Sequence, residues 1–309
     1  RSYARIKSFI MLPNGNMSEV QRRQMSTIEA DNVFALRING TFDDCQDLVK
    51  QAFIQRDFLK PDQYLLAVNS INWTRIVGQI CYYFYAYNRL AKHENLNFSI
   101  PTGNFGNVFA CYSAFKMGLP IKTISVAVND NDILHRFFAS NDYSKKQVHE
   151  TISPSMDISV ASNFERLVYD FFLDRSTAKC AELFNNFPNQ GIELDEATWN
   201  KKNALFSSSS VDDAATQAII QSINNEHRYL LDPHTAVAMQ EAMEASSNTD
   251  HYVVLATAHP AKFPDIYKKL AIDLSETPKA LKGLYDKTEH LHHFDANYDE
   301  ITSFINSRN

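Results

Sequence analysis

SIPTGNFGNVFACYSAFKMGLPI, residues 99–121, carries a strand, a glycine-containing loop and a helix in immediate succession. The apolar run NFSIP (97–101) closes on its proline, and Gly103 and Gly106 punctuate the loop. An apolar helix runs to about Met117 and stops at Gly118-Leu119-Pro120, before the β-rich IKTISVAV (121–128). Strand, helix and second strand at this spacing form one unit of a parallel α/β sheet. The loop also has a chemical reading. Backbone N–H groups at a helix N-terminus lack intrahelical acceptors and align with the helix dipole, so they attract an anion. Gly103 and Gly106 are expected to let the backbone approach that anion, with Asn104 and Asn107 adding amide donors. No Gly-Lys-Ser/Thr follows and the glycines do not form G-x-G-x-x-G, which excludes a P-loop and a dinucleotide fingerprint. A single phosphate held by neutral donors fits the pattern, and so does a plain tight turn.

The alternation extends outward from this segment. Upstream, IKSFIMLP (6–13) reads as a strand, followed by a helix capped at Ser18. NVFALRI (32–38) is a second strand, and Thr41 caps a helix opened by Asp43 and Asp44, acids that the dipole favours there. YLLAV (64–68) is strand-like and leads into Asn69-Ser70-Ile71-Asn72 and a long aromatic helix. Its Trp73, Ile76, Ile80, Tyr83 and Phe84 mark a core-facing stripe. Downstream, helices are expected around 162–186, 212–227 and 233–246, then a last strand at 252–257 ending in Ala258-His259-Pro260. Ser207 to Ser210 reads as a loop or cap. The expected architecture is α/β, an open, mostly parallel sheet flanked by helices. In such a sheet ligands sit at the carboxyl ends of the strands, where Asn69, Ser70, Asn72, Thr257 and His259 all fall.

The 309 residues suffice for one large or two modest domains. Thirty basic against 36 acidic residues, net −6, with no basic run, argue against nucleic acid as a partner. No apolar stretch approaches the roughly 20 residues of a bilayer span, so no membrane partner is expected. Cys45, Cys81, Cys111 and Cys180 are widely spaced without a C-x-x-C pair, the pattern of packed, reduced thiols in a cytoplasmic protein. His290, His292 and His293 lack companions that would complete a metal set and read as a solvated cluster, so no metal is expected. Asp130 and Asp132 read as caps for the next helix. No Ser/His/Asp arrangement stands out.

Taken together, IPTGNFGNVFACYSAFKMGLPI, MLPNGNMSEVQRRQMST, GTFDDCQDLVKQAF, NSINWTRIVGQICYYFYAY, NDNDILHRFF, SPSMDISVASNFERLVYDFF, DPHTAVAM and ATAHPAKFP follow a familiar order. The chain resembles threonine synthases, pyridoxal-phosphate enzymes of fold type II, in their bacterial and fungal branch. The resemblance implies pyridoxal 5'-phosphate as cofactor and O-phospho-L-homoserine as substrate, converted with water to L-threonine and phosphate. It implies a partial small α/β domain over 1–66 and a cofactor-binding large domain with C-terminal helices over 67–309. Carried over by motif, Gly103, Asn104, Phe105, Gly106 and Asn107 would cradle the cofactor phosphate, and Thr257 would hydrogen-bond the pyridine nitrogen. Asn69, Ser70, Asn72 and Arg75 are assigned to substrate or cofactor contacts, while His234 and Lys262 lie in family motifs without a role.

The family's Schiff-base lysine, in a Phe-Lys-Asp context, and its Ser-Gly-Asp-Thr-Gly loop do not occur in these 309 residues. Both are expected upstream of Arg1, making the chain N-terminally incomplete and inactive alone. Two alternatives stand beside the synthase: a non-catalytic relative that binds a ligand or partner, and a phospho-lyase acting on another phosphorylated substrate.

Overall fold

A computed structural model describes residues 5–15, 17–90, 96–245, 251–274 and 278–308. In chain order the elements are β1 (Ser8–Pro13), α1 (Glu19–Ser26), β2 (Val33–Asn39), α2 (Phe42–Gln55), α3 (Trp73–Arg89), β3 (Leu96–Pro101), α4 (Gly106–Lys116), β4 (Ile121–Val128) and α5 (Ile133–Ser140). There follow α6 (Phe164–Leu167), α7 (Thr177–Gln190), α8 (Glu196–Asn200), β5 (Phe206–Ser210), α9 (Asp213–His227), α10 (Pro233–Ala245), β6 (Tyr252–Val254), α11 (Pro264–Lys269), β7 (Leu291–Asp295) and α12 (Tyr298–Ser307). They form two compact units, one of residues 1–67 with 261–309 and the other of residues 68–260.

The first unit is built on a parallel three-stranded sheet, β1-β2-β7. Leu36 and Ile38 on the middle strand pack with Cys45 and Leu48 of α2, Ile301 and Ile305 of α12, and Phe58 from the turn after α2. Thr41 and Asp44 cap each other reciprocally at the start of α2, as expected of a helix-opening acid. The expected division at 67–309 differs from this arrangement, because the C-terminal residues return to the first unit as β7 and α12. The histidines belong to that return: His290 and His293 are exposed, as expected of a solvated cluster, whereas His292 in β7 is half-buried with its ring 4.7 Å from Phe304.

The second unit contains the parallel sheet β5-β4-β3-β6. β3 is buried along its whole length and β4 nearly so, the mark of parallel strands covered on both faces. Phe105, Phe137, Phe164, Phe172 and Tyr143 fill the core beside them. Ser207 to Ser210 lie in β5, against the loop expectation. Ser99, Ser125 and Ser207 stand side by side across three strands, and Ser125 shares a 2.7 Å hydrogen bond with Ser207. Residues 64–68 form no strand, and Tyr64, Leu66 and Val68 are exposed. The expected helix over 162–186 breaks into α6, one π-helical turn at Val168–Phe172, and α7. Asp174 and Arg175 turn the chain there with positive φ. β6 stops at Val254, short of residue 257, and residue 246 lies outside the described residues. Trp73 and Cys81 on α3 are exposed, unlike the rest of the expected stripe and the three buried thiols.

Candidate active site

The loop between β3 and α4 is positioned by its neighbours before any ligand is considered. Thr102 donates its N–H to Ala127 on the adjacent strand, and Tyr83 on α3 donates its hydroxyl to the Asn107 carbonyl at 2.6 Å. The left-handed residue of the turn is Phe105, with φ 63°, and it stands at the N-cap of α4 without a side-chain cap bond. Its buried ring packs edge-on to Phe164 and stacks with Phe138.

The missing Cβ at each glycine makes room for protein. A Cβ at Gly103 would lie 2.5 Å from the Ser155 carbonyl oxygen, and one at Gly106 would lie 3.3 Å from Gln79 Oε1. At both positions the saved space is occupied by protein. Among the described residues, the backbone N–H groups of residues 103–108 donate to no protein acceptor, while Phe109 N begins the helical ladder by donating to Phe105 O. Asn104 accepts from Ser162 through Oδ1, which leaves its NH2 group as a donor. Free N–H groups at the positive end of an eleven-residue helix fit a phosphate group.

The other expected residues fall into two groups. Asn163, missed in the sequence, links the turn at 69–72 to the loop: its Nδ2 donates to Ser70 O and Asn104 O, each at 2.9 Å. Ser162 adds a hydroxyl contact to Ser70 at 3.3 Å. Ser70 is therefore joined to the phosphate-fitting loop. Asn69 and Asn72 have local uses for their carbonyl oxygens, accepting from Ile71 N and Thr74 N; the latter caps α3. Arg166 braces this turn by donating to Ile71 O over the Trp73 ring. Arg75 is exposed and forms no ion pair among the described residues.

Thr257 follows β6, the parallel neighbour of β3, so the two strands deliver their carboxyl ends to the same side of the sheet. Its N–H donates to Thr235 Oγ1 at 3.3 Å. Thr235 in turn donates to Asp232, whose other oxygen lies 3.0 Å from His234 Nδ1. Burial pushes the Asp232 carboxyl up, but the hydrogen bonds from His234 and Thr235 outweigh it and hold the group below the usual carboxylate range. His259 is exposed, and Lys262 belongs to the first unit. Asp132 holds the N-cap position of α5 without capping it, pairing instead with Arg136 at 2.9 Å. Among the described residues no metal-binding cluster occurs and no helix is long and apolar enough to cross a membrane.

A family model described as pyridoxal-phosphate dependent enzyme matches residues 2–182, more than half the chain. The chain belongs to the pyridoxal-phosphate-dependent enzyme family. A second model, threonine synthase, C-terminal, matches residues 235–305. Within the family, the chain is 46% identical to the threonine synthase of Pseudomonas aeruginosa, over 91% of this chain and 60% of that protein. It is 39% identical to the threonine synthase of Saccharomyces cerevisiae, over 84% and 54% respectively. The solved structure of pyridoxal-phosphate-bound threonine synthase from Brucella melitensis superposes with a TM-score of 0.88 at 40% identity, covering 98% of this chain and 65% of that one. Yeast threonine synthase gives a TM-score of 0.85 at 34% identity, covering 100% and 66%. The chain thus spans less than two thirds of the length of these relatives. The α/β expectation and the fold type II resemblance agree with both structures.

Proposed function

We propose that this chain is the cofactor-seating portion of a threonine synthase, which converts O-phospho-L-homoserine and water to L-threonine and phosphate. The observation that carries the reading is the set of unbonded N–H groups at residues 103–108, lying in the motif by which the chain resembles those enzymes. Pyridoxal phosphate, when bound, supplies an electron sink for carbanions at the substrate's α- and β-carbons. The residues of this chain supply placement. Gly103, Asn104, Phe105, Gly106 and Asn107 hold the cofactor phosphate through backbone and amide donors, without a lysine in the loop. Thr257 offers the pyridine nitrogen a hydroxyl, a partner that leaves that nitrogen largely unprotonated. Asn69, Ser70, Asn72 and Arg75 border the substrate, with exposed Arg75, which forms no ion pair among the described residues, offering a cation to an anionic group.

We place the protein in the cytoplasm, a reading supported by four free cysteines and no disulfide among the described residues. The deciding experiment uses the protein that contains this chain, with pyridoxal phosphate and O-phospho-L-homoserine. One L-threonine per phosphate released is the expected result. Phosphate release with a different organic product would favour a phospho-lyase of other substrate range. Cofactor binding with no phosphate release from this substrate would favour the non-catalytic reading.

A further inference from the structure

Asp232, His234 and Thr235 are buried together at the start of α10, 2%, 4% and 3% exposed. The Asp232 carboxylate receives both neighbours, Thr235 Oγ1 on Oδ2 and His234 Nδ1 on Oδ1 at 3.0 Å. Each neighbour then reaches a different segment. His234 Nε2 accepts the Ser155 backbone N–H at 3.2 Å. Since that donor is a backbone amide, Nε2 carries no proton, and the ring hydrogen lies on Nδ1 facing the carboxylate. Ser155 is the residue whose carbonyl would lie 2.5 Å from a Cβ at Gly103, so His234 holds the wall against which the glycine loop rests. Thr235 Oγ1 accepts the Thr257 N–H at 3.3 Å, fixing the backbone that follows β6.

The geometry points to Asp232 as a positioning residue that sets two separate segments at once, the Ser155 wall behind Gly103 and the segment after β6 that carries Thr257. One carboxylate has two oxygens and each fixes one arm, so the phosphate seat and Thr257 keep a common reference point. The relevance of that reference point to the cofactor rests on the function proposed above, whereas the coupling of the two segments does not. A charge-assisted pair of this kind is stronger than a neutral one and is costly to leave half-made in the interior.

The test reads amide hydrogen exchange at Ser155 and Thr257 in the chain without cofactor. The amides of Thr102 and Leu255, which bond to Ala127 O and Ser99 O, serve as controls. Asp232→Ala is expected to accelerate exchange at both Ser155 and Thr257 about tenfold. His234→Phe should accelerate Ser155 alone, and Thr235→Val should accelerate Thr257 alone. Acceleration at only one site in Asp232→Ala, or equal acceleration of the controls, overturns the proposal. If the alanine variant does not fold, Asp232→Asn answers the question. It keeps an acceptor for His234 but turns an amide donor toward the Thr235 hydroxyl, so Thr257 should accelerate and Ser155 should not; an unchanged Thr257 overturns the proposal. A parallel titration of the unaltered chain with pyridoxal phosphate tests the functional reading separately: absence of binding sinks that reading and leaves the exchange result to judge the coupling.

Discussion

Phe105 holds a left-handed backbone at φ 63° while its ring lies edge-on to Phe164, with centroids 5.3 Å apart. A non-glycine residue in that conformation is strained by about 1–2 kcal/mol. Full burial of a phenylalanine side chain contributes about 1.5–3 kcal/mol, and aromatic contacts add to it, so packing outweighs the strain. The ring locks the turn that leaves the N–H groups of 103–108 without protein acceptors among the described residues.

A ranking of two substitutions follows from this balance. Phe105→Ala loses the ring and keeps the strain, at a cost of about 3–5 kcal/mol. Phe105→Gly loses the same ring but releases the strain, and is expected to be about 1 kcal/mol more stable than the alanine variant. Urea denaturation midpoints compare the two directly. An alanine variant equal to or better than glycine would mean that the backbone is unstrained at this position.

Gly103 and Gly106 separate by what stands opposite. A methyl group at Gly103 would meet backbone, the Ser155 carbonyl at 2.5 Å, and one of the two segments has to move. The expected cost of Gly103→Ala is about 1–3 kcal/mol. At Gly106 the nearest atom is the end of the Gln79 side chain, at 3.3 Å, which can rotate away. Gly106→Ala should therefore cost under about 1 kcal/mol, on the scale of mild substitutions. Equal losses in urea titrations would contradict this difference.

Much of this architecture was legible because parallel strands announce themselves as short apolar runs closed by Pro, Gly and Asn. The caps at Ser18 and Thr41 were legible because they rest on local hydrogen bonding that involves only near neighbours. What escaped depended on distant partners. β5 is written FSSSS, and its serines are strand residues because Ser125 and Glu241 face them from elsewhere in the chain. β7 was hidden in a run of histidines because its partner is β2, more than 250 positions away. The site followed the same rule. By itself the glycine loop could be read as a strand-to-helix turn, but Asn163, Ser155 and Asp232 came to the loop and to Thr257 only through folding.

Lys116 ends the helix that follows the loop, and it is not expected to serve the cofactor's aldehyde chemistry. It ends α4, roughly 15 Å along the axis from the first turn, where it pairs with Asp170 at 3.9 Å and lies over the Tyr112 ring. Borohydride reduction of this chain after incubation with pyridoxal phosphate should label Lys116 no more than other surface lysines. Peptide mapping reads the outcome, and one stoichiometric adduct at Lys116 would refute the assignment.

Thiol reactivity should divide the four cysteines one against three. Cys81 is exposed on α3, whereas Cys45, Cys111 and Cys180 are buried. Burial pushes the Cys45 thiol up to about 11 and moves Cys111 and Cys180 upward as well, which disfavours the nucleophilic thiolate. Under native conditions a chromogenic disulfide should react with one thiol per chain quickly, and Cys81→Ser should abolish that phase. Rapid reaction of a second thiol would show that the core opens on the timescale of the assay.

The first unit should lose stability in acid through one carboxylate. Arg22 clasps Glu289 through two hydrogen bonds of 2.9 and 3.0 Å, and Ser26 donates to the same carboxylate at 2.6 Å. The Arg22 bond is the largest cause holding Glu289 down to about 2, against an ordinary 4.5. A carboxyl depressed in the folded state stabilises it fully above its unfolded value, and that stabilisation drains away as pH falls from about 4.5 toward 2. Because the pair is partly exposed, solvent screening limits its contribution to about 1–2 kcal/mol. Glu289→Gln should therefore destabilise the protein by that amount at pH 7 and leave Arg22 without its charged partner. The gap to the unaltered chain should close progressively below pH 4.5, as the native glutamate takes up its proton. Urea midpoints of both proteins between pH 7 and pH 3 measure the gap, and a difference that stays constant across that range would show that Glu289 acts by shape and not by charge.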